Sequence, residues 1–241
     1  MFGLSVPVAL ACIGVVFVGA AIQASIGIGL GMLAAPFLTL VDPDFVPVAI
    51  VICVVPLTVT IAWADRTHID GHGFWVAIVG RLPGVIVGAM IASAISNEVL
   101  ALLVAGSVLV AVVLSATRVH FHTSDATVFG AGAASGFTGT AVGVGGPPIA
   151  LVYQHNNPEV MRSTLSAFFA IGAPMSIAAL AVAGEIGTRE LQLSLLLIPG
   201  VIGGTILARR VKHLLDPRWL RPAVLALCAF TSITLLVETF A

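Results

Sequence analysis

Gly136-Phe137-Thr138-Gly139-Thr140-Ala141-Val142-Gly143-Val144-Gly145-Gly146-Pro147-Pro148 cannot be one unbroken helix. Glycine disfavours a helix interior by about 1 kcal/mol relative to alanine, and proline by about 3. Two prolines after Gly-Gly stop one helix and are well placed to begin the next. A second stretch has the same character: Gln23-Ala24-Ser25-Ile26-Gly27-Ile28-Gly29-Leu30-Gly31, with Pro36 following. Both lie in strongly apolar surroundings. A broken backbone at membrane depth survives only where protein or a watery cavity satisfies its polar groups. The two breaks are therefore the first places to look for chemistry.

Outward from the breaks, the chain reads as a membrane protein. Of its 241 residues, 59% are hydrophobic and 9% are Asp, Glu, Lys or Arg. Soluble domains carry roughly a quarter charged residues, so this charge cannot cover a water-facing surface. Apolar stretches run over 3–24, 46–64, 74–96, 99–117, 163–183, 191–208 and 222–237. Most approach or exceed the roughly 17–25 residues that span a bilayer as a helix. The first lacks a basic leader and an Ala-x-Ala site, so no removable signal peptide is expected. A net charge of −1 argues against nucleic acid as a partner. Cys12, Cys53 and Cys228 lie in separate apolar segments and read as small buried hydrophobes. No Cys–His spacing suggests a metal site, and no cofactor is expected.

Sliding the sequence on itself by 116 positions aligns it without a gap. Gly27 falls on Gly143, Gly29 on Gly145 and Gly71 on Gly187. Pro83-Gly84-Val85-Ile86 recurs as Pro199-Gly200-Val201-Ile202, and Gly88 meets Gly204. The organisation expected is a transmembrane repeat over 1–117, a cytoplasmic linker over 118–125 and a second repeat over 126–241. Duplicated halves with the substrate between them are a recurring transporter plan.

Basic residues decide how the halves face, because short cytoplasmic loops collect Lys and Arg. With eight plain spanning helices, the basic residues divide six to four. With the first segment of each repeat broken or re-entrant, each half has three full crossings and the second half is inverted. Arg66, Arg81, Arg118, Arg162, Arg209, Arg210, Lys212, Arg218 and Arg221 then share one side, and Arg189 alone takes the other: nine against one. The fold class expected is an all-α polytopic membrane protein of two inverted repeats, each of about four helical segments, with both termini outside. Eight plain transmembrane helices are the alternative.

A half-helix starting at Gly29 or Gly146 points its positive dipole end and free N–H groups inward, which makes an anion site. The amides of Gly29, Gly31, Gly145 and Gly146 are candidate donors, and Gly27, Gly143 and Pro147 frame them. Pro147 and Pro148 have no N–H, so the second break has fewer donors than its glycines suggest. Ser25, Thr138 and Thr140 would add hydroxyls, and Gln23 an amide. Gln154 and His155 are candidates for the inner mouth, and Arg162 for attracting an anion; interfacial anchoring is the competing reading of all three. Gly84, Gly88, Gly200 and Gly204 read as close-packing faces. His68, His72, His120, His122 and His213 read as solvated, Arg209-Arg210-Lys212-His213 as a lipid-facing basic cluster, and Trp63, Trp75 and Trp219 as an aromatic belt.

The paired Gly-rich motifs, the second reading Gly143-Val144-Gly145-Gly146-Pro147-Pro148, resemble those of the sulfite exporter TauE/SafE family. The turns at Gly71 and Gly187 and the paired Pro-Gly-x-x-x-Gly blocks are similar too, and the resemblance runs over nearly the whole chain. It implies a bacterial inner-membrane transporter exporting sulfite or small organosulfonates, with residues 27–31 and 143–148 framing the path. The first motif departs from the second, with Leu30-Gly31-Met32 where Gly146-Pro147-Pro148 stands.

All eleven Asp and Glu fall in loops or at helix ends, so no buried carboxylate proton relay is visible. An inside-negative potential favours anion exit by about 2.3 kcal/mol per charge per 100 mV, which makes a facilitated, potential-driven route the simplest. Export of another small anion, such as a carboxylate, is the alternative. An intramembrane enzyme would need a nucleophile or an acid–base pair, and no Ser–His, Asp–Asp or His-Glu-x-x-His arrangement lies within the spans. The expected partners are the small anion and membrane lipid, with a homodimer left open.

Overall fold

The computed structural model describes residues 3–116, 123–211 and 217–240, with the side chains of all of these except 211 and 217–221. Among them are ten α-helices, two short 3-10 turns and no strand. The helices are α1 (Val6–Ile26), α2 (Leu30–Val41), α3 (Val48–Ala64), α4 (Gly71–Ala92), α5 (Asn97–Ala116), α6 (Asp125–Val142), α7 (Gly146–Tyr153), α8 (Pro158–Ala183), α9 (Thr188–Val211) and α10 (Pro217–Phe240). Seven of them, α1, α3, α4, α5, α8, α9 and α10, are long and apolar enough to cross a membrane. They coincide with the seven apolar stretches of the sequence. The protein is an all-α, multi-pass membrane protein. Arg118, His120, His122, Lys212 and His213 lie outside the described residues, and the side chains of Arg218, Trp219 and Arg221 are not described.

Both Gly-rich stretches are helix breaks. Gly27 (φ 89°) ends α1 and Gly143 (φ 73°) ends α6, each in the left-handed conformation that L side chains rarely adopt. A half-helix follows each: α2 from Leu30, α7 from Gly146. The first is capped from within its own hairpin, since the Gln23 Oε1 accepts from the Leu30 N–H at 3.1 Å. Gly139 stands at the position equivalent to Gln23 and cannot do this. There the Ser135 hydroxyl donates to the Gly145 carbonyl at 2.5 Å instead.

Each break reverses the chain. A Cβ on Gly19 would sit 3.1 Å from the Leu30 Cα, which a straight continuation would place about 16 Å away at 1.5 Å per residue. The outer ends of the hairpins confirm the reversal. Asp42 and Asp44, after α2, pair with Arg189, beside Gly3 at the start of α1. Thr123, before α6, donates to the Val152 carbonyl near the end of α7 at 3.4 Å. The Tyr153 hydroxyl donates to Asp70 at 2.8 Å, and His72 meets Asp125 at 2.9 Å. Helix α3 separates the two groups of contacts, so the hairpins enter the bundle from opposite ends.

Helix packing follows the repeat. Helix α4 lies along α6 and α9 along α1, while α3 crosses α8 and α5 lies against α10. Glycines set these contacts. The carbonyls of Phe129, Ala133 and Phe137 lie against Gly80, Gly84 and Gly88, leaving no room for a Cβ. On the other side only Gly200 and Gly204 are so used, against the carbonyls of Ile13 and Phe17. Gly200 is the repeat equivalent of Gly84, and Ile13 of Phe129, so this interface is shifted by one helical turn. Leu196 stands where Gly80 does, and a side chain at that position denies a carbonyl the same approach. The close-packing reading of Gly84, Gly88, Gly200 and Gly204 thus has a physical basis.

Candidate functional site

The two breaks abut. Gly31 lies against the Gly143 carbonyl, and a Cβ on Gly146 would stand 3.3 Å from Ile28. Between them is a cavity of about 40 Å³, lined by Gln23, Ile28, Gly29, Gly31 and Met32 from the first hairpin and by Gly139, Gly143, Gly145 and Gly146 from the second. Val51 and Val54 of α3 and Phe169 and Ala173 of α8 complete its apolar walls. At roughly 10–15 Å³ per water, the cavity has room for about three water positions. Both half-helices begin here, where helical geometry leaves the first N–H groups without intrahelical partners and the dipole end is positive.

The remaining lining residue is Arg81, the one charged side chain in the wall. It lies midway along α4 and is 2% exposed. Its Nε donates to the Gly172 carbonyl at 3.3 Å, and its two terminal nitrogens donate to the Ser135 and Ser176 hydroxyls, each at 3.1 Å. The guanidinium carbon sits 4.9 Å from the Phe168 ring centre and 5.8 Å from that of Phe169. Every one of these partners is neutral, and among the described residues no carboxylate pairs with Arg81. Three of the five N–H donors of an arginine are thereby engaged. An isolated buried charge is strongly unfavourable, and an ionisable residue inside a membrane marks a functional site by default.

Glycines make the slot that holds this side chain. A Cβ on Gly172 would lie 2.5 Å from the Arg81 Nε, one on Gly139 would lie 3.2 Å from a terminal nitrogen, and one on Gly136 would lie 3.0 Å from Cγ. Hydroxyls then tie it to the second break. Ser135, which accepts from Arg81, donates to Gly145; Ser176, on the other side, is 2.7 Å from the Thr140 hydroxyl. The repeat does not duplicate this arrangement, because Leu197 stands at the position equivalent to Arg81 and Gly19 at that of Ser135.

The sequence reading counts Arg81 among basic residues at one membrane face. The structure corrects this: Arg81 is inside α4 and inside the protein. The signal was present, since Arg81 falls within the apolar run 74–96, well away from either end.

Of the sequence candidates, Gln23, Gly29, Gly31, Gly143, Gly145 and Gly146 line the cavity. Thr140 stands two hydrogen bonds behind it, through Ser176 and Arg81. Others lie elsewhere. Gly27 backs onto the Arg162 backbone. The Ser25 hydroxyl donates to the Ala21 carbonyl at 2.8 Å, and Thr138 donates likewise to Ala134 at 2.9 Å. Thr138 and Pro147 line a separate apolar groove of about 640 Å³ between α5, α6 and α7. Ser25, Gln154 and Arg162 line a vestibule of about 250 Å³ at the end of the bundle that carries Glu159. Arg162 is held by Asp65 at 2.8 Å, and His155 is exposed beside that vestibule. His68 and His72 are half to largely exposed and face Glu159 and Asp125.

A multi-pass membrane protein in which two broken helices meet around a small cavity with a buried cation has an architecture suited to carrying an anion. Comparison with known proteins is specific. The chain matches the model of the sulfite exporter TauE/SafE family over residues 11–235, and it belongs to that family. It is 28% identical over 206 residues to the probable sulfite/organosulfonate exporter TauE of Cupriavidus necator, an alignment covering 80% of this chain and 79% of that protein. No solved structure matches it.

Proposed function

We propose that the chain exports a small sulfur oxyanion, sulfite or an organosulfonate, across a bacterial inner membrane, and that the anion binds in the cavity between the two helix breaks. The observation that carries the reading is Arg81, a buried cation with neutral partners set in the wall where two half-helix N-termini converge. A guanidinium offers a fork of donors suited to the oxygens of an oxyanion. The half-helix ends add positive potential without adding charge. The vestibule at Gln154 leads toward the cavity past Ile28, which lines both.

The repeats, taken as 1–117 and 126–241 joined by 118–125, are read as inverted across the membrane. Hairpins entering from opposite ends support this. So does the charge: Arg66, Arg162, Arg209 and Arg210 belong to one end and Arg189 to the other, four against one among the residues whose side chains are described once Arg81 is set aside. The basic end is cytoplasmic by the positive-inside rule. Efflux is then driven by the membrane potential, and the protein carries the anion across without chemically changing it.

The test is flux of labelled sulfite in proteoliposomes of defined polarity. Saturable flux that unlabelled sulfite and short sulfonates compete away supports the reading. Flux at the protein-free rate for all of these, together with competition-sensitive flux of a carboxylate, replaces the substrate class.

A further inference from the structure

We infer that the cavity selects monoanions: hydrogensulfite and singly charged sulfonates are accepted, while doubly charged sulfite and sulfate are refused. The inference rests on the proposed transport site and deepens it by naming the charge state of the substrate.

Charge balance sets the selection. The residues lining the cavity come from α1, α2, α3, α4, α6, α8 and the two breaks, and Arg81 is the one charged or titratable side chain among them. Arg162, which lines the vestibule, is already paired with Asp65. A monoanion beside Arg81 makes a neutral buried pair. A dianion leaves one uncompensated negative charge in an apolar surrounding, where burial of an unpaired ion is strongly penalised. Half-helix dipoles offset part of that penalty but supply only partial charges. The walls combine polar and apolar surface. Ile28, Met32, Val51 and Val54 offer apolar contact, and Arg81 offers donors. A short sulfonate has that division, a charged three-oxygen head on a small apolar tail.

Sulfite provides an internal test, because its second ionisation falls near neutral pH whereas methanesulfonate is a monoanion throughout. Flux is measured in proteoliposomes from mildly acidic to mildly alkaline pH at fixed total concentration, with protein-free vesicles as the blank. Sulfite flux should fall as pH rises, in step with the hydrogensulfite fraction, while methanesulfonate flux stays level. Sulfate should compete at least about tenfold more weakly than methanesulfonate, the equivalent of 1.4 kcal/mol. Arg81→Lys should keep the preference at lower affinity. Arg81→Met should lose binding of both monoanions yet remain inserted, because an apolar replacement relieves a buried charge.

Sulfate competing as well as methanesulfonate would overturn the inference and leave the transport site standing. So would sulfite flux that rises with the dianion fraction. Absence of wild-type flux for every anion would instead remove the proposed function itself. Unchanged monoanion affinity in a well-inserted Arg81→Met protein would overturn the role of Arg81 in selection.

Discussion

Arg81 donates to the Ser135 hydroxyl at 3.1 Å across the α4–α6 interface, and the same hydroxyl donates onward to the Gly145 carbonyl at 2.5 Å. One serine thus fixes both the buried cation and the break that begins α7. Ser135→Ala should leave an Arg81 N–H and the Gly145 carbonyl without their shared partner. We expect a stability loss of about 1–3 kcal/mol and a raised KM for sulfite with little change in the maximal rate. The measurement is concentration-dependent flux beside thermal unfolding in detergent. An unchanged KM with the same loss in Tm would make Ser135 merely structural.

Gly172 provides the space for the guanidinium, since a Cβ there meets Nε at 2.5 Å and Cζ at 2.9 Å. Gly172→Val should displace Arg81 and abolish flux while leaving the protein inserted and monodisperse. Gly14→Val is the matched control, because nothing lies within 4 Å of its Cβ. Equal flux for the two variants would contradict the slot.

Gly143 ends α6 at φ 73°, with Ile50 3.3 Å from where its Cβ would be. Gly143→Ala should lower stability by about 1–3 kcal/mol through backbone strain and by more if Ile50 cannot yield. Gly31→Ala acts differently. Its Cβ would enter the space of the Gly143 carbonyl, so it should push the two hairpins apart and reduce flux more than stability. Thermal unfolding and flux on the same preparations separate the two outcomes.

Much of this was legible in the sequence because it rests on composition and local backbone rules. Seven long apolar runs and two Gly-rich stretches specify helices and breaks without any knowledge of tertiary structure. The fixed 116-residue offset likewise placed each element of one half on its counterpart. Side-chain partners were not legible. Gln23 reads equally well as a substrate ligand and as the cap of Leu30, and only the reversal at Gly27 decides. Arg162 reads as a free cation until Asp65, 97 positions earlier, is brought to 2.8 Å. Arg81 is illegible for a different reason: counting charges by loop assigns every arginine to a face, and a cation within a span breaks that assumption. The asymmetry between halves was visible in principle, because Leu196 and Leu197 stand where Gly80 and Arg81 do.

The Arg162–Asp65 pair should contribute to stability more than to substrate affinity. Both side chains are largely buried, so removing one partner leaves a poorly compensated charge. Arg162→Gln and Asp65→Asn should each lower Tm, and the double variant should lose less than the sum of the two. A double-mutant cycle on unfolding measures the coupling, and the KM for sulfite should stay within about twofold of wild type, about 0.4 kcal/mol.

The proposed inverted arrangement predicts sidedness. Thr67 and Ser93 are exposed at opposite ends of α4. In a background free of native cysteines, Thr67→Cys should react with an impermeant thiol reagent from the cytoplasmic side alone, and Ser93→Cys from the outside alone. Labelling of both from one side would contradict the topology.

The most direct test of the central claim is potential-driven efflux of labelled sulfite from vesicles containing equal amounts of inserted wild-type and Arg81→Met protein. The account predicts saturable efflux from the wild type and efflux at the protein-free rate from the variant. Wild-type efflux from Arg81→Met, at matched insertion and Tm, would contradict it.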